Sequence, residues 1–325
     1  MSPPYLSIVL TGRNDTYGGD FRARFLRTLA FNTRLLEQSG VDAEFVLVEW
    51  APPPAAPLLI EIAVDAMPAL APSLRSIVVD PDYQDALTLN PRITYLEFIA
   101  KNVGIRRARG TFVLTTNADV YLGRHILQQI ASQRLRPKIV YRARRIDLKL
   151  GLDQSSVDWA MLEDERNYDT GLKPLRPPLY AGGTGDFVLL DAATFGALRG
   201  FNEVYRVAKI GIDRNFLLKA LHSGLSIRDI GGPVYHVNHV GSYRMTKGLY
   251  TDRETEAPYG DHRWPSSAIV YDNGDTWGLG AAPAMRTSDT VTRLLFDWNA
   301  VSPLVEIDRV IPASVPHGVD SEPHV

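Results

Sequence analysis

The chain has 325 residues, 45% of them apolar and 22% charged, enough to build one large domain or two ordinary ones. Its net charge of −2 argues against a protein held to nucleic acid mainly by phosphate contacts. It has no cysteine, which excludes disulfides, thiolate zinc sites and cysteine nucleophiles.

The opening segment, MSPPYLSIVLTGRND, has a short apolar run but no basic leader and no small-residue cleavage site. It reads as a first strand and not as a signal peptide. No stretch of about 18 apolar residues is free of charge and proline, so no transmembrane helix is expected. The expectation is a soluble, cytoplasmic protein, with peripheral membrane association left open. Two basic runs, Arg106–Arg109 and Arg142–Arg145, read as solvated helix and strand faces.

In chain order, LSIVLTG (Leu6–Gly12) is a buried strand ending at a glycine. A helix follows, with Phe21, Phe25, Leu29 and Leu36 near one face and Gly40 as its stop. Strands are predicted over Ala43–Trp50 and Leu74–Asp80, with a short helix around Leu58–Ala66 between them. A helix from about Thr94 runs towards Gly110, and a fourth strand begins at Phe112. Residues 138–180 hold a basic strand and then a polar, aromatic, proline-bounded insertion. Regularity returns with a strand and helix at 185–203, an amphipathic helix opening on Asp213, and a strand ending in YHVNH. After Tyr243 loop signals dominate, and the last dozen residues are expected to be disordered.

Strands alternating with helices predict a mostly parallel sheet with helices on both faces. In such sheets ligands sit beyond the carboxyl ends of the strands. That edge gathers Thr11–Asp15, Glu49, Asp80 and Asn117–Asp119. No G-x-G-x-x-G, P-loop or G-x-S-x-G motif accompanies the sheet, so neither a Rossmann dinucleotide site nor a serine hydrolase elbow explains it.

Three clusters remain. Asn117-Ala118-Asp119 closes the fourth strand, either as an Asx-turn or as a carboxylate offered to a hard cation. His236 and His239 are structural histidines or imidazole ligands. A spacing of three in a strand points them to opposite faces, so they need not share a metal. Asp213 is either a helix N-cap or an ionised carboxylate able to accept a hydroxyl proton.

In order and spacing these blocks resemble GT-A glycosyltransferases of the family 2 kind, over about Leu6–Ser242. The blocks are the TGRND loop, Glu49, KNVGIRRARGTFVLTTNAD (Lys101–Asp119), the Gly185–Leu190 strand, RGFNE (Arg199–Glu203) and GIDRNF (Gly211–Phe216). The resemblance implies an α/β GT-A fold, with a mostly parallel central sheet flanked by helices. It implies a nucleotide-sugar half over about residues 1–123, an acceptor half over about 124–242, and a loop-rich C-terminal extension over 243–325. Thr11, Arg13, Asn14, Glu49, Lys101, Asn117 and Asp119 would bind the nucleoside diphosphate sugar. Asp119 with His236 or His239 would hold a divalent cation, Mn2+ or Mg2+. Asp213 would deprotonate a carbohydrate or glycan acceptor, giving inversion. The insertion and AGGTGDF (Ala181–Phe187) would shape the acceptor side, where Trp159, Tyr168 and Tyr180 either pack in the core or stack on a sugar.

Two positions depart from the family pattern. Asn117 stands where the first Asp of D-x-D is usual, and Ile212 precedes Asp213 where Glu is usual. They keep a second reading open, a nucleotide-sugar or carbohydrate-binding protein without catalysis. A nucleotidyltransferase is disfavoured, because no glycine- and lysine-rich loop follows the first strand.

Overall fold

A computed structural model describes residues 3–169, 175–240, 269–307 and 309–311. Strands β1 (Leu6–Gly12) and β2 (Ala43–Trp50) are buried along almost their whole length, as strands covered on both faces must be. Helix α1 (Phe21–Gln38) lies between them and buries Phe21, Phe25, Leu29 and Leu36, spaced for one helical face. The proline-rich break leads to α2 (Leu59–Ala66), β3 (Leu74–Val79), α3 (Asp82–Leu87), α4 (Glu97–Arg107) and β4 (Phe112–Thr115). Then come β5 (Val120–Leu122), α5 (Arg124–Ala131), β6 (Ile139–Asp147) and α6 (Trp159–Glu163) of the insertion. The chain returns through β7 (Val188–Asp191), α7 (Ala192–Ala197), α8 (Ile212–His222) and β8 (Ser226–His236). It closes with β9 (Val270–Asp272), β10 (Ala284–Arg286), β11 (Val291–Leu294), α9 (Trp298–Val305) and β12 (Arg309–Ile311).

Ten strands form one sheet in the order β10-β11-β3-β2-β1-β4-β7-β6-β8-β5, with a hydrophobic cluster on each face. The expected α/β class is borne out. From β11 to β4 the neighbours are parallel. The second half is mixed, because β7 runs antiparallel to both β4 and β6, and β5 runs antiparallel to β8. Since β6 and β8 are parallel to each other, the carboxyl ends of β1, β2, β4, β6 and β8 all open on one edge.

The C-terminal extension is more than loops. Val291–Leu294 pairs in parallel with Ser76–Val79, so β11 widens the main sheet beyond β3. Arg106 donates to the carbonyls of Asp275 and Trp277, and Arg107 to those of Gly278 and Leu279. Arg106 and Arg107 of this basic run therefore clamp the extension, while Arg106 and Arg109 keep the exposure expected of a solvated face. Buried Glu203 accepts from Asn102 (2.9 Å) and from the Gly278 N–H (2.8 Å), and burial pushes its carboxyl up to about 7. Residues of 269–307 therefore join the sheet and core built by the residues before 242. Of the loop-rich stretch expected over 243–325, the structure describes 269–307 and 309–311, and the disorder expected over the last dozen residues lies outside the described residues. Among the described residues no helix is long and apolar enough to cross a membrane.

Candidate active site

The turn after β4 is held from below by α1. Arg24, Thr28 and Asn32 recur at helical spacing and are buried although polar. Thr28 Oγ1 donates to the Ala118 carbonyl (2.5 Å), and Asn32 Nδ2 donates to that of Val120 (2.9 Å). Asn32 Oδ1 accepts from the Leu122 N–H (3.0 Å). These bonds fix the backbone on both sides of Asp119, a residue only 5% exposed.

Strand register then brings the histidines to it. His236 ends β8 opposite Val120 on one side and opposite Asp147 of β6 on the other. Past His236 the chain leaves the strand, and the Val237 N–H donates to the Asp119 carbonyl. The opposite-face rule therefore no longer applies to His239, and both imidazoles converge on one carboxylate. His236 Nε2 lies 3.8 Å from Asp119 Oδ1, and His239 Nε2 lies 3.4 Å from Oδ2. The far nitrogens have other partners: Nδ1 of His236 faces Asp147 Oδ1 at 2.9 Å, and Nδ1 of His239 faces the Val240 carbonyl at 3.0 Å.

These residues fit a divalent cation. One carboxylate oxygen and two imidazole nitrogens lie within 4.8 Å of one another. The Asp119–histidine separations exceed a hydrogen bond of about 3 Å. They match ligand atoms that share a centre about 2.1 Å from each. Two nitrogens in the set suit a transition-series ion better than Mg2+, which prefers oxygen. Burial pushes the Asp119 carboxyl up, but His236, His239, Arg24 and Arg145 outweigh it and hold it below the usual carboxylate range. Burial lowers the His239 imidazole against the pull of Asp119, which favours the neutral, ligating form.

A second network joins this corner to Asp213. Lys101, fully buried, gives its three ammonium protons to Glu97 Oε1 (2.7 Å), Asn117 Oδ1 (2.8 Å) and the Gly185 carbonyl (2.7 Å). The Gly185 N–H donates in turn to Asp213 Oδ2 (2.8 Å). Asn117 Nδ2 donates to Asp186 Oδ1 (2.8 Å), whose other oxygen pairs with Arg145 (2.7 Å). That accounts for the Asn: a second carboxylate at 117 would face Asp186 with no proton between them. Asp213 does not cap its helix. Gly211, at φ 88°, occupies the cap, and Asp213 sits in the first turn. Burial pushes its carboxyl up, against the Arg214 N–H, Arg142 and Lys101.

Several expected ligand-binding residues are otherwise engaged. Glu49 is fully buried, and its oxygens accept from the N–H groups of Leu59 (2.6 Å) and Ile60 (3.2 Å) and from Ser76 Oγ (2.9 Å). It tethers the start of α2 and does not line a nucleotide pocket. Lys101, with no exposure and three acceptors, holds Asn117 in place and does not reach a diphosphate. Thr11 and half-buried Arg13 and Asn14 do lie at the site edge. Arg13 donates to Asp15 (2.5 Å) and to the Thr94 carbonyl (2.8 Å), and Asn14 to the Pro57 carbonyl (2.9 Å). In the second basic run, Arg142 is buried against the carbonyls of Thr184 and Gly182, and Arg145 belongs to the site, so neither is a solvated face. Trp159 packs on Phe31, and Tyr168 on Tyr235.

Sequence reasoning missed Arg24, Asp147, Arg145 and Asp186. Only Arg24 left a signal, as the first of a polar i, i+4, i+8 series along the apolar face of α1. The loop before it also carries the site: Gly18 (φ 65°) lies so close to His239 that an added Cβ would stand 2.5 Å from the ring nitrogen. Tyr17 meets the same ring edge-on at 5.1 Å.

No protein-family model matches the chain, and no curated protein matches it. Among solved structures, GalNAc-T7 with UDP, GalNAc and Mn2+ aligns at 15% identity and TM-score 0.47, over 81% of this chain and 51% of that one. TarS of S. aureus aligns at 17% identity and TM-score 0.43, over 73% and 60%. The mannosyltransferase PcManGT from Pyrobaculum calidifontis, in complex with GDP-Man and Mn2+, aligns at 13% identity and TM-score 0.45, over 75% and 59%. The chain spans about half to three fifths of the length of these proteins. Superpositions this loose transfer no residue roles.

Proposed function

We propose that this chain is a metal-dependent glycosyltransferase of GT-A architecture. It would move a sugar from a nucleoside diphosphate sugar to a hydroxyl of a carbohydrate acceptor, with inversion, in the cytoplasm. The observation that carries this reading is the convergence of Asp119, His236 and His239 at the carboxyl edge of the sheet, beside the turn from Asn117 to Asp119. Asp119 and both imidazoles would hold the cation, Mn2+ in preference to Mg2+. When bound, the cation stabilises the negative charge that builds on a departing diphosphate. Thr11, Arg13 and Asn14 border the same edge and would meet the nucleotide. Asn117 keeps its orientation through Lys101 and Asp186. Asp213, raised by burial, would accept the acceptor proton at its carboxylate, worth about 100- to 10,000-fold in rate.

One observation favours a second reading, a nucleotide-sugar binder without turnover. Both oxygens of Asp213 already accept backbone N–H groups, from Gly185 (2.8 Å) and Arg214 (2.9 Å).

A panel of UDP- and GDP-sugars, screened by thermal shift with and without Mn2+ and then by donor hydrolysis and transfer, tests both. Mn2+-dependent stabilisation with turnover supports the transferase. Stabilisation without turnover on any acceptor supports the binder. No Mn2+-dependent stabilisation by any sugar nucleotide overturns both.

A further inference from the structure

We infer that Asp147 is a positioning residue for the cation site: it takes the Nδ1 proton of His236 and so leaves the Nε2 lone pair facing Asp119. The inference rests on the metal reading above for its consequence, but its premise is a property of the metal-free protein.

Two groups compete for His236 Nδ1. Asp147 Oδ1 and Arg145 Nη2 both stand 2.9 Å from it. Arginine has only donors, so Arg145 would require an unprotonated Nδ1, while Asp147 requires a protonated one. Arg145 is satisfied elsewhere. Its Nη1 donates to Asp186 Oδ2 (2.7 Å), its Nε to Asp147 Oδ1 (2.7 Å), and its Nη2 stands 2.6 Å from that same oxygen. The opposite tautomer would set the Nδ1 lone pair against a carboxylate at hydrogen-bond distance. It would also turn the Nε2 proton into the space between His236 and Asp119, where a ligand needs a lone pair.

The fold makes the arrangement rigid. Asp147 and His236 are register partners across the parallel β6–β8 pair. Arg145, two residues before Asp147, lies on the same strand face, so one strand supplies the carboxylate that orients the histidine and the guanidinium that, through Asp186, orients Asn117.

Histidine 15N spectra of the metal-free wild type at pH 8, with the His236 signal assigned by His236→Gln, should show the Nδ1–H tautomer. Asp147→Asn should bind Mn2+ about 10- to 100-fold more weakly by calorimetry. Its metal-free Tm reads any structural loss separately, and Asp147→Glu should restore part of the affinity. An Nε2–H tautomer, or a ring protonated on both nitrogens, in the wild type at that pH overturns the proposal without recourse to any variant. Wild-type Mn2+ affinity in Asp147→Asn overturns it alone. A wild type that takes up no Mn2+ overturns both it and the metal reading.

Discussion

Glu49 and Asp119 invite comparison. Each is a buried carboxylate at the same sheet edge, Glu49 near the end of β2 and Asp119 in the turn after β4, and their surroundings differ in kind. Glu49 meets three neutral donors at 2.6–3.2 Å, all at hydrogen-bond distance, so its valences are filled by the protein. Asp119 accepts one long hydrogen bond, from Arg24 Nε at 3.4 Å, and its other neighbours are two imidazole nitrogens at 3.4–3.8 Å, too far to saturate it. The first carboxylate is finished by folding, while the second is left with room for another atom. Burial alone does not separate the two roles. The identity and distance of the facing groups do, and the shifts follow: burial dominates at Glu49 and raises it, whereas the facing positive groups overcome burial at Asp119 and lower it.

The contrast can be broken by experiment. Asp119→Ala should lower kcat/KM by about 1,000-fold or more and abolish stabilisation by Mn2+, with little change in metal-free Tm. Retained Mn2+ dependence would remove Asp119 from the site. Asp213→Asn should lower kcat by about 100- to 10,000-fold and leave Mn2+ affinity intact. A near wild-type rate would shift the proton acceptor elsewhere. Glu49→Ala should do the reverse of Asp119→Ala. It leaves buried donors unmatched, so urea unfolding should show a loss of about 3 kcal/mol, with Mn2+ affinity unchanged in the folded fraction.

The smallest effect is the pH dependence of stability. Asp119, lowered in the fold, contributes stability that is present above the unfolded value of about 3.9 and lost as pH falls through the folded one. Glu49, raised in the fold, gives the opposite slope: stability is lost as pH rises from the unfolded value of about 4.3 through the folded one. Urea melts between about pH 2.5 and 7 on metal-free Asp119→Asn and Glu49→Gln should therefore change the pH slope in opposite directions, Asp119→Asn below about pH 4 and Glu49→Gln above it. Slopes that change alike would erase the distinction.

How much of this was legible in the chain follows from range. The longer helices and strands up to β8 show in local periodicity, whereas the short α3, β5, α5 and α6 do not, and Asp119 and the YHVNH pair stand out because a polar cluster ends an apolar run. The convergence of both histidines does not show, because the period-two rule lapses once β8 ends at His236. The fate of Glu49 depends on N–H donors ten residues downstream that only the fold delivers. Asp147 and Arg145 sit in a basic run whose composition suggests a wet surface, and only the pairing of β6 with β8 turns them inward. Strand β11 is four residues of modest apolarity, and its partner lies more than 200 residues away in β3. Nothing nearby announces it.

That last pairing has a practical consequence. Cutting the chain near residue 242, where the composition invites it, would strip β11 and β10 from β3 and turn an interior strand into an open, largely apolar rim. Unpaired rims of this kind recruit other chains. A fragment ending there would be lost to self-association before its chemistry could be measured, so recombinant work should keep at least the residues through α9.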